Sequence, residues 1–145
     1  MKVLLDTNVA ITYISGRDDP FSVEIERIMK LCAEEKIEGV LAFHSLSTIW
    51  YVSRKAPENE RRDWIRKLCI LLTISGADNQ LILEAIDNTA FKDFEDAMQD
   101  CCAVESGADY IITVNKRDYR DHSMVTPLTP EEFLVIYDQG ENKPM

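Results

Sequence analysis

Asp6, Asp96 and Asp118 are the side chains whose settings suggest chemistry. Asp6 ends the apolar run Val3-Leu4-Leu5, and a strand that buries Val and Leu does not ordinarily carry a carboxylate off its end without a partner. Asp96 lies in "DFEDAMQD", Asp93 to Asp100, which packs four acids into eight residues. Asp118 follows the apolar run "YIITV" by a few residues, in "NKRDY". Carboxylates that converge cannot all stay ionised at neutral pH without help: one takes a proton, or a cation sits between them. Neither histidine is placed to assist, and no cysteine has ligand spacing. Hard oxygen ligands in an open, watery setting suit Mg²⁺ or Mn²⁺. Such ions orient a water, lower its pKa and stabilise an in-line displacement at phosphorus. A divalent cation is thus the expected positive partner of Asp6.

The elements that must position these side chains alternate. Val3–Leu5 reads as a strand, followed by a helix from Thr7 to about Tyr13 and a turn at "GRDDP". Ile25, Ile28, Met29 and Cys32 give Ser22–Glu35 helical spacing. Gly39–Phe43 is a second strand, and Ser45 is placed to cap a helix running to about Arg54. "KAPEN" breaks it before a helix through Trp64, Ile65, Leu68 and Cys69. "LLTIS" is a third strand, and Asp78–Ala90 and Phe94–Ser106 are helices, with Gly107 at the C′ position of the second. "DYIITV" is a fourth strand, and "MVTPL" a last one that Pro127 confines to an edge. Thr129, Pro130 and Glu132 form the capping box of a final helix. One domain over residues 1–138 is expected, with 139–145 as a frayed tail.

Strands alternating with helices predict an α/β domain with a mostly parallel central sheet and helices on both faces. The functional crevice of such a sheet lies beyond the carboxyl ends of its strands. Asp6 and Asp118 both reach that crevice if the first and fourth strands are neighbours. On the intervening helix, Phe94, Ala97, Met98, Cys101 and Val104 form the apolar face. Asp93, Asp96 and Asp100 fall on one stripe at its border, and Glu95 is expected to point away. Like charges at this spacing repel, so the stripe weakens the helix unless something compensates. Asp93 is explained as an N-cap, while Asp96 is divided between first-turn carboxylate and site residue.

The chain has 145 residues, 46% of them hydrophobic and 29% charged, as befits a single folded domain with a real core. Its longest apolar stretch, "LCILLTI", is far below the roughly 20 residues a bilayer requires, so no membrane association is expected. Asp6 interrupts the N-terminal apolar run too early for a signal peptide, and a cytoplasmic setting is expected. The four cysteines, Cys32, Cys69, Cys101 and Cys102, are expected on helices as small buried hydrophobes. His44 and His122, without partners in the sequence pattern, are expected at surface or loop positions. A net charge of −10 excludes a protein that holds nucleic acid by bulk charge alone. Nucleic acid is a possible partner only through uneven charge placement or metal ions; otherwise the surface attracts cations or a basic protein.

Taken in order, "LLDTNV", "FEDAMQ" and "GADYIITVNKRDY" resemble the PIN domain family over essentially the whole chain. The resemblance implies a three-layer α/β/α sandwich around a mostly parallel sheet, and Mg²⁺- or Mn²⁺-dependent cleavage of RNA, single-stranded or structured. It also implies a toxin of a toxin–antitoxin pair, dimeric and silenced by a bound antitoxin. Asp6, Asp96 and Asp118 match the family's metal-holding catalytic acids. Asn115 matches a polar residue common beside the last of them, and Asn8 the small polar residue that shapes the first turn. One departure stands out. The family carries a glutamate on the helix after its second strand; here Thr48 takes that place, and no acid occurs from Val40 to Pro57. The loss is expected to weaken cation binding, with Asp93 as a spatial substitute. It also supports an alternative function: a PIN fold that no longer cleaves RNA and works as a protein-binding module.

Among basic residues, Lys116, Arg117 and Arg120 flank Asp118 and are placed to meet phosphate or to offset the acids. Arg54–Lys67 holds six of the sixteen basic residues around Trp64, but its own acids dilute the charge, so it reads as a solvated helix face. A receiver-type phosphorylation domain needs paired acids after its first strand, and a haloacid-dehalogenase-like phosphatase needs an aspartate at position 8. "LLDTN" supplies neither.

Overall fold

The computed structural model describes residues 1–119 and 122–141. Its elements are β1 (Lys2–Leu5), α1 (Thr7–Ser15), α2 (Ser22–Ala33), β2 (Glu38–Ala42), α3 (Phe43–Val52), α4 (Glu58–Leu71), β3 (Thr73–Ser75), α5 (Asn79–Asp87), α6 (Phe94–Ser106), β4 (Tyr110–Ile112), a 3₁₀ turn (Lys116–Asp118), β5 (Thr126–Leu128) and α7 (Pro130–Glu141). All five strands are parallel, in the order β3-β2-β1-β4-β5. β1 is therefore the middle strand and lies beside β4, with Leu5 in register with Ile112.

Strand alternation divides the core into two layers. Val3 and Leu5 turn to one face of the sheet, where they pack with Ile25, Ile28, Leu41, Ile112 and Phe133. Leu4 turns to the other, with Val40, Ala97, Ala103, Ile111 and Tyr119. A strand buried on both faces reads as a continuous apolar run, which is why "VLL" carries no polar residue until the strand ends. This is the three-layer α/β/α sandwich expected from the sequence.

Local signals hold at several boundaries. Gly107 closes α6 in the left-handed conformation, φ 72°, and the Ala108 amide reaches back to Ala103 O at 2.9 Å. Thr129 and Glu132 exchange the two bonds of a capping box, at 3.2 and 3.0 Å. Pro127 lies on β5, the edge strand, where its missing N–H breaks no ladder.

Three expectations need correction. Ser45 does not cap α3: the helix starts at Phe43 with Ala42 before it, because the Ser45 hydroxyl is buried and bonded elsewhere. Cys69 is exposed, unlike Cys32 and Cys102, since it falls on the solvent face of α4. The helix α5 stops at Asp87, not Ala90, and begins at Asn79 with Asp78 as its cap. At the far end, α7 takes in residues 139–141, whereas 142–145 of the expected tail lie outside the described residues. Among the described residues no helix is long and apolar enough to cross a membrane.

Candidate active site at the carboxyl ends of β1 and β4

Asp6 stands at the point where β1 becomes α1. Its own N–H is bonded to Ile112 O at 3.0 Å, which ties it to the end of β4. One carboxylate oxygen, Oδ1, accepts from the Thr7 amide at 2.8 Å and so caps α1; the other, Oδ2, accepts from Thr113 Oγ1 at 2.9 Å. The carboxylate is almost entirely buried, and burial raises its pKa despite these hydrogen bonds. Its side-chain partners among the described residues, Thr7 and Thr113, are neutral donors.

Thr113 also organises the far side. Its hydroxyl accepts from the Asn115 amide at 3.0 Å, and Asn115 Nδ2 donates to Asp118 Oδ2 at 2.7 Å. Asp118 is exposed at the end of the 3₁₀ turn, held there by that side-chain bond. Asp96 closes the group from above, on the first turn of α6. It is half-buried, and burial together with the charges of Asp6, Asp118, Asp93 and Glu95 pushes its carboxyl up to about 7. Asp6, Asp96 and Asp118 thus share one electrostatic field. Asp93 Oδ1 caps α6 by accepting from the Glu95 amide at 2.9 Å, so the cap and the charge-coupled residue are different aspartates.

Glu95 does not point away. Its Oε1 accepts from Thr7 Oγ1 at 3.2 Å, and its charge acts on both Asp6 and Asp96. The wheel misplaces it because α6 sits over the end of the sheet, so the border of its apolar face still looks into the crevice. Asp100, conversely, leaves the stripe: it is buried and accepts from Ser123 Oγ at 2.6 Å and the Met124 amide at 3.1 Å. It anchors the segment leading into β5.

From α3 the side chain that reaches this region is Ser45. Its hydroxyl lies 2.7 Å from Thr7 Oγ1, and Gln99 Nε2 donates to both hydroxyls, at 2.8 Å to Thr7 and 3.0 Å to Ser45. Thr48 Oγ1 is directed instead to His44 O of its own helix, at 3.5 Å. Asn8 is exposed on the first turn of α1, where Thr7 makes the polar contacts. Thr7, Ser45, Gln99 and Thr113 were missed in the sequence, because small hydroxyls and an amide carry no spacing signal.

Tyr119 lies behind the acids. It is fully buried, and its hydroxyl is close enough to Asp6 to draw that carboxyl toward ionisation, but among the described residues it has no well-formed hydrogen bond. The surrounding carboxylates and burial keep the phenol firmly protonated.

The basic residues are mostly committed. Lys116 Nζ pairs with Glu132 at 2.9 Å, Arg117 is exposed, and Arg120 lies outside the described residues. Within Arg54–Lys67, Arg62 pairs with Glu58 and Arg66 with Asp63, both at 2.7 Å, while Arg61 stacks on Trp50 at 3.9 Å. That stretch is a helix face whose charge is partly offset by its own acids. His122 is exposed, but His44 is half-buried on α3, where burial lowers its pKa, because the helix begins three residues earlier than a Ser45 cap would place it.

None of Asp6, Asp96, Asp118 and Glu95 makes a salt bridge among the described residues. Nor, among those residues, are any three His, Cys, Asp or Glu side chains gathered into a ready-made metal cage. The donor chemistry nevertheless fits a hard cation: carboxylate oxygens, no counter-charge, and a buried hydroxyl without a partner beside them.

The fold and this crevice define a parallel α/β/α protein with acids at the carboxyl ends of its two central strands. The chain belongs to the PIN domain family, whose family model matches residues 2–117. Solved structures of the same fold include VapBC2 from Rickettsia felis bound to a DNA fragment from its promoter, with 14% identity and a TM-score of 0.64, covering 88% of this chain and 99% of that one. VapBC-1 from nontypeable Haemophilus influenzae has 19% identity and a TM-score of 0.64, covering 90% and 99%. VapC20 from Mycobacterium tuberculosis, described as a toxin that cleaves the sarcin–ricin loop, has 17% identity and a TM-score of 0.56, covering 75% and 86%. No curated protein sequence matches the chain.

Proposed function

We propose that the chain is a Mg²⁺- or Mn²⁺-dependent endoribonuclease of PIN type, acting in the cytoplasm as the toxin of a toxin–antitoxin pair. The observation that carries the proposal is the field shared by Asp6, Asp96 and Asp118. They come from the end of β1, α6 and the turn after β4, and burial together with their charges pushes the Asp96 carboxyl up to about 7, with no opposing cation among the described residues. A structural role gives no reason to bring three carboxylates together; a cation-holding role requires it. These three residues would hold the ion, with Asn115 keeping Asp118 in place and Thr113 keeping Asp6 in place. A bound divalent ion supplies charge stabilisation at phosphorus and lowers the pKa of a nearby water. Asp93 caps α6 and adds negative field at Asp96, and Arg117 and Arg120 stand beside Asp118 in the sequence, where an RNA backbone would pass.

The partners follow the same proposal: RNA as substrate, an antitoxin protein as inhibitor, and a second copy of the chain as dimer partner. The complexes in which the R. felis and H. influenzae folds were solved support the antitoxin, and the activity stated for VapC20 supports RNA.

A second function is favoured by one observation, the absence of any acid on α3: a protein-binding PIN fold without cleavage. Calorimetric titration of Mn²⁺ into the wild type and Asp96→Asn separates the two. Saturable binding that is lost in the variant supports the nuclease, and cleavage of RNA should then vanish in both Asp6→Asn and Asp96→Asn. A wild type that binds no Mn²⁺, or cleavage surviving both changes, would defeat it.

A further inference from the structure

We propose that Glu95 is the fourth carboxylate of the acidic site, supplied by α6 in place of an acid on α3. The inference rests on the metal-dependent reading above and specifies how this chain completes that site.

The hydrogen-bond directions argue for it first. A carboxylate can only accept, so the Thr7 hydroxyl must donate its one proton to Glu95 Oε1. Thr7 Oγ1 can then only accept from its other two partners, so Ser45 donates to it across 2.7 Å. Ser45, its proton committed, accepts from Gln99 Nε2 at 3.0 Å, and the second proton of that amide goes to Thr7 at 2.8 Å. Every proton in the chain Gln99–Ser45–Thr7 is thus turned toward Glu95. Ser45 and Gln99 are fully buried and Thr7 almost so, which makes this a rigid, dry cradle and not a passing surface contact. Oε2 of Glu95 takes no hydrogen bond among the described residues and so remains available to a ligand.

Position argues second. Glu95 stands on the first turn of α6 and accepts from Thr7, the first residue of α1, immediately beyond the end of β1. Thr7 links it directly to α3 through Ser45, so the carboxylate fills the side of the crevice that α3 leaves without an acid.

An observation independent of the acids points to a ligand in the same crevice. The Tyr119 hydroxyl is fully buried and faces Asp6, Asp96 and Asp118; Asp6 lies close enough to act on it, but among the described residues it has no well-formed hydrogen bond. Buried hydroxyls are rarely left so unless a further molecule completes them.

The test is Mn²⁺ affinity by calorimetry at pH 8, above the value of about 7 for Asp96, for the wild type, Asp96→Asn, Glu95→Gln, Thr7→Val and Thr7→Ser. Circular dichroism melting of each confirms folding; Glu95 is only half-buried and its glutamine variant keeps the Thr7 bond. Glu95→Gln should weaken binding by about 10–100-fold, the range typical of losing a supporting group at a metal site. Thr7→Val should weaken it by a smaller factor, and Thr7→Ser, which keeps the hydroxyl, should restore it. Wild-type binding that disappears in Asp96→Asn but is unchanged in Glu95→Gln overturns the role of Glu95 while leaving the nuclease proposal standing. No binding by the wild type overturns both.

Discussion

Thr113 Oγ1 donates to Asp6 Oδ2 at 2.9 Å, joining the ends of two neighbouring parallel strands through the side chains that follow them. The same hydroxyl accepts from the Asn115 amide, so one buried threonine fixes both the central acid and the turn that presents Asp118. Thr113→Val keeps the shape and removes both bonds. It should cost about 1–3 kcal/mol of stability, the range for leaving buried polar groups unpaired. Urea denaturation checks this, and Thr113→Ser should recover most of the loss.

The Asp96 carboxyl, pushed up to about 7 in the folded chain against 3.8 for the free side chain, sets a sign for pH dependence. The folded state holds this proton more tightly than the unfolded one. The stability attached to it is therefore complete below about pH 4 and is lost as pH rises through about 7. Asp96→Asn removes the penalty. In chelator, the variant should melt with the wild type at pH 4 and above it at pH 8. Because the group is only half-buried, solvent screening limits the gain to on the order of 1 kcal/mol, or about 2–4 °C. Equal melting temperatures at pH 8 would show that the acids do not repel one another.

Asp100 should behave in the opposite way to Asp96, although four residues of one helix separate them. It accepts from Ser123 Oγ and from the Met124 and Val125 amides, at 2.6, 3.1 and 3.4 Å. Asp100→Ala strands those donors and should destabilise by about 3 kcal/mol, with no gain at any pH. Hydrogen exchange at Met124 and Val125 should rise before the rest of the sheet opens.

Glu35 ends α2 in the left-handed region, φ 57°, the one non-glycine residue described there with positive φ. The Lys36 amide bonds back to Leu31 O at 3.0 Å, so the turn itself is well made and only the residue type is unfavourable. Glu35→Gly should raise stability by about 0.5–1 kcal/mol, the left-handed penalty less the entropy of an added glycine. A thermal melt decides it.

Much of the fold was legible because buried parallel strands and capped helices leave local marks. "VLL" ending in Asp6, Gly107 after α6, and the Thr129–Glu132 capping box each state their structure within a few residues. Where reading failed, tertiary context intervened. Ser45 looks like a cap, but its hydroxyl is claimed by Thr7 and Gln99, which lie 38 and 54 positions away. Glu95 and Asp100 were assigned to the wrong sides because a helical wheel knows only the helix, not the sheet end or the loop packed against it. The acids of the candidate site could be picked out as charges without a structural reason. The neutral groups that hold them could not, since Thr113 and Gln99 look like any other polar residues until their partners are known.

The sheet order also has a consequence in time. β1 is made first, yet its neighbour β4 and the hydroxyl that grips Asp6 come 107 positions later. A chain still being synthesised can pair β1 with β2, but it must hold Asp6 with one half of its setting missing until α6 and β4 have emerged. The acidic crevice is therefore acquired late, and any translation product that stops short of β4 carries three of the five strands and none of the assembled site.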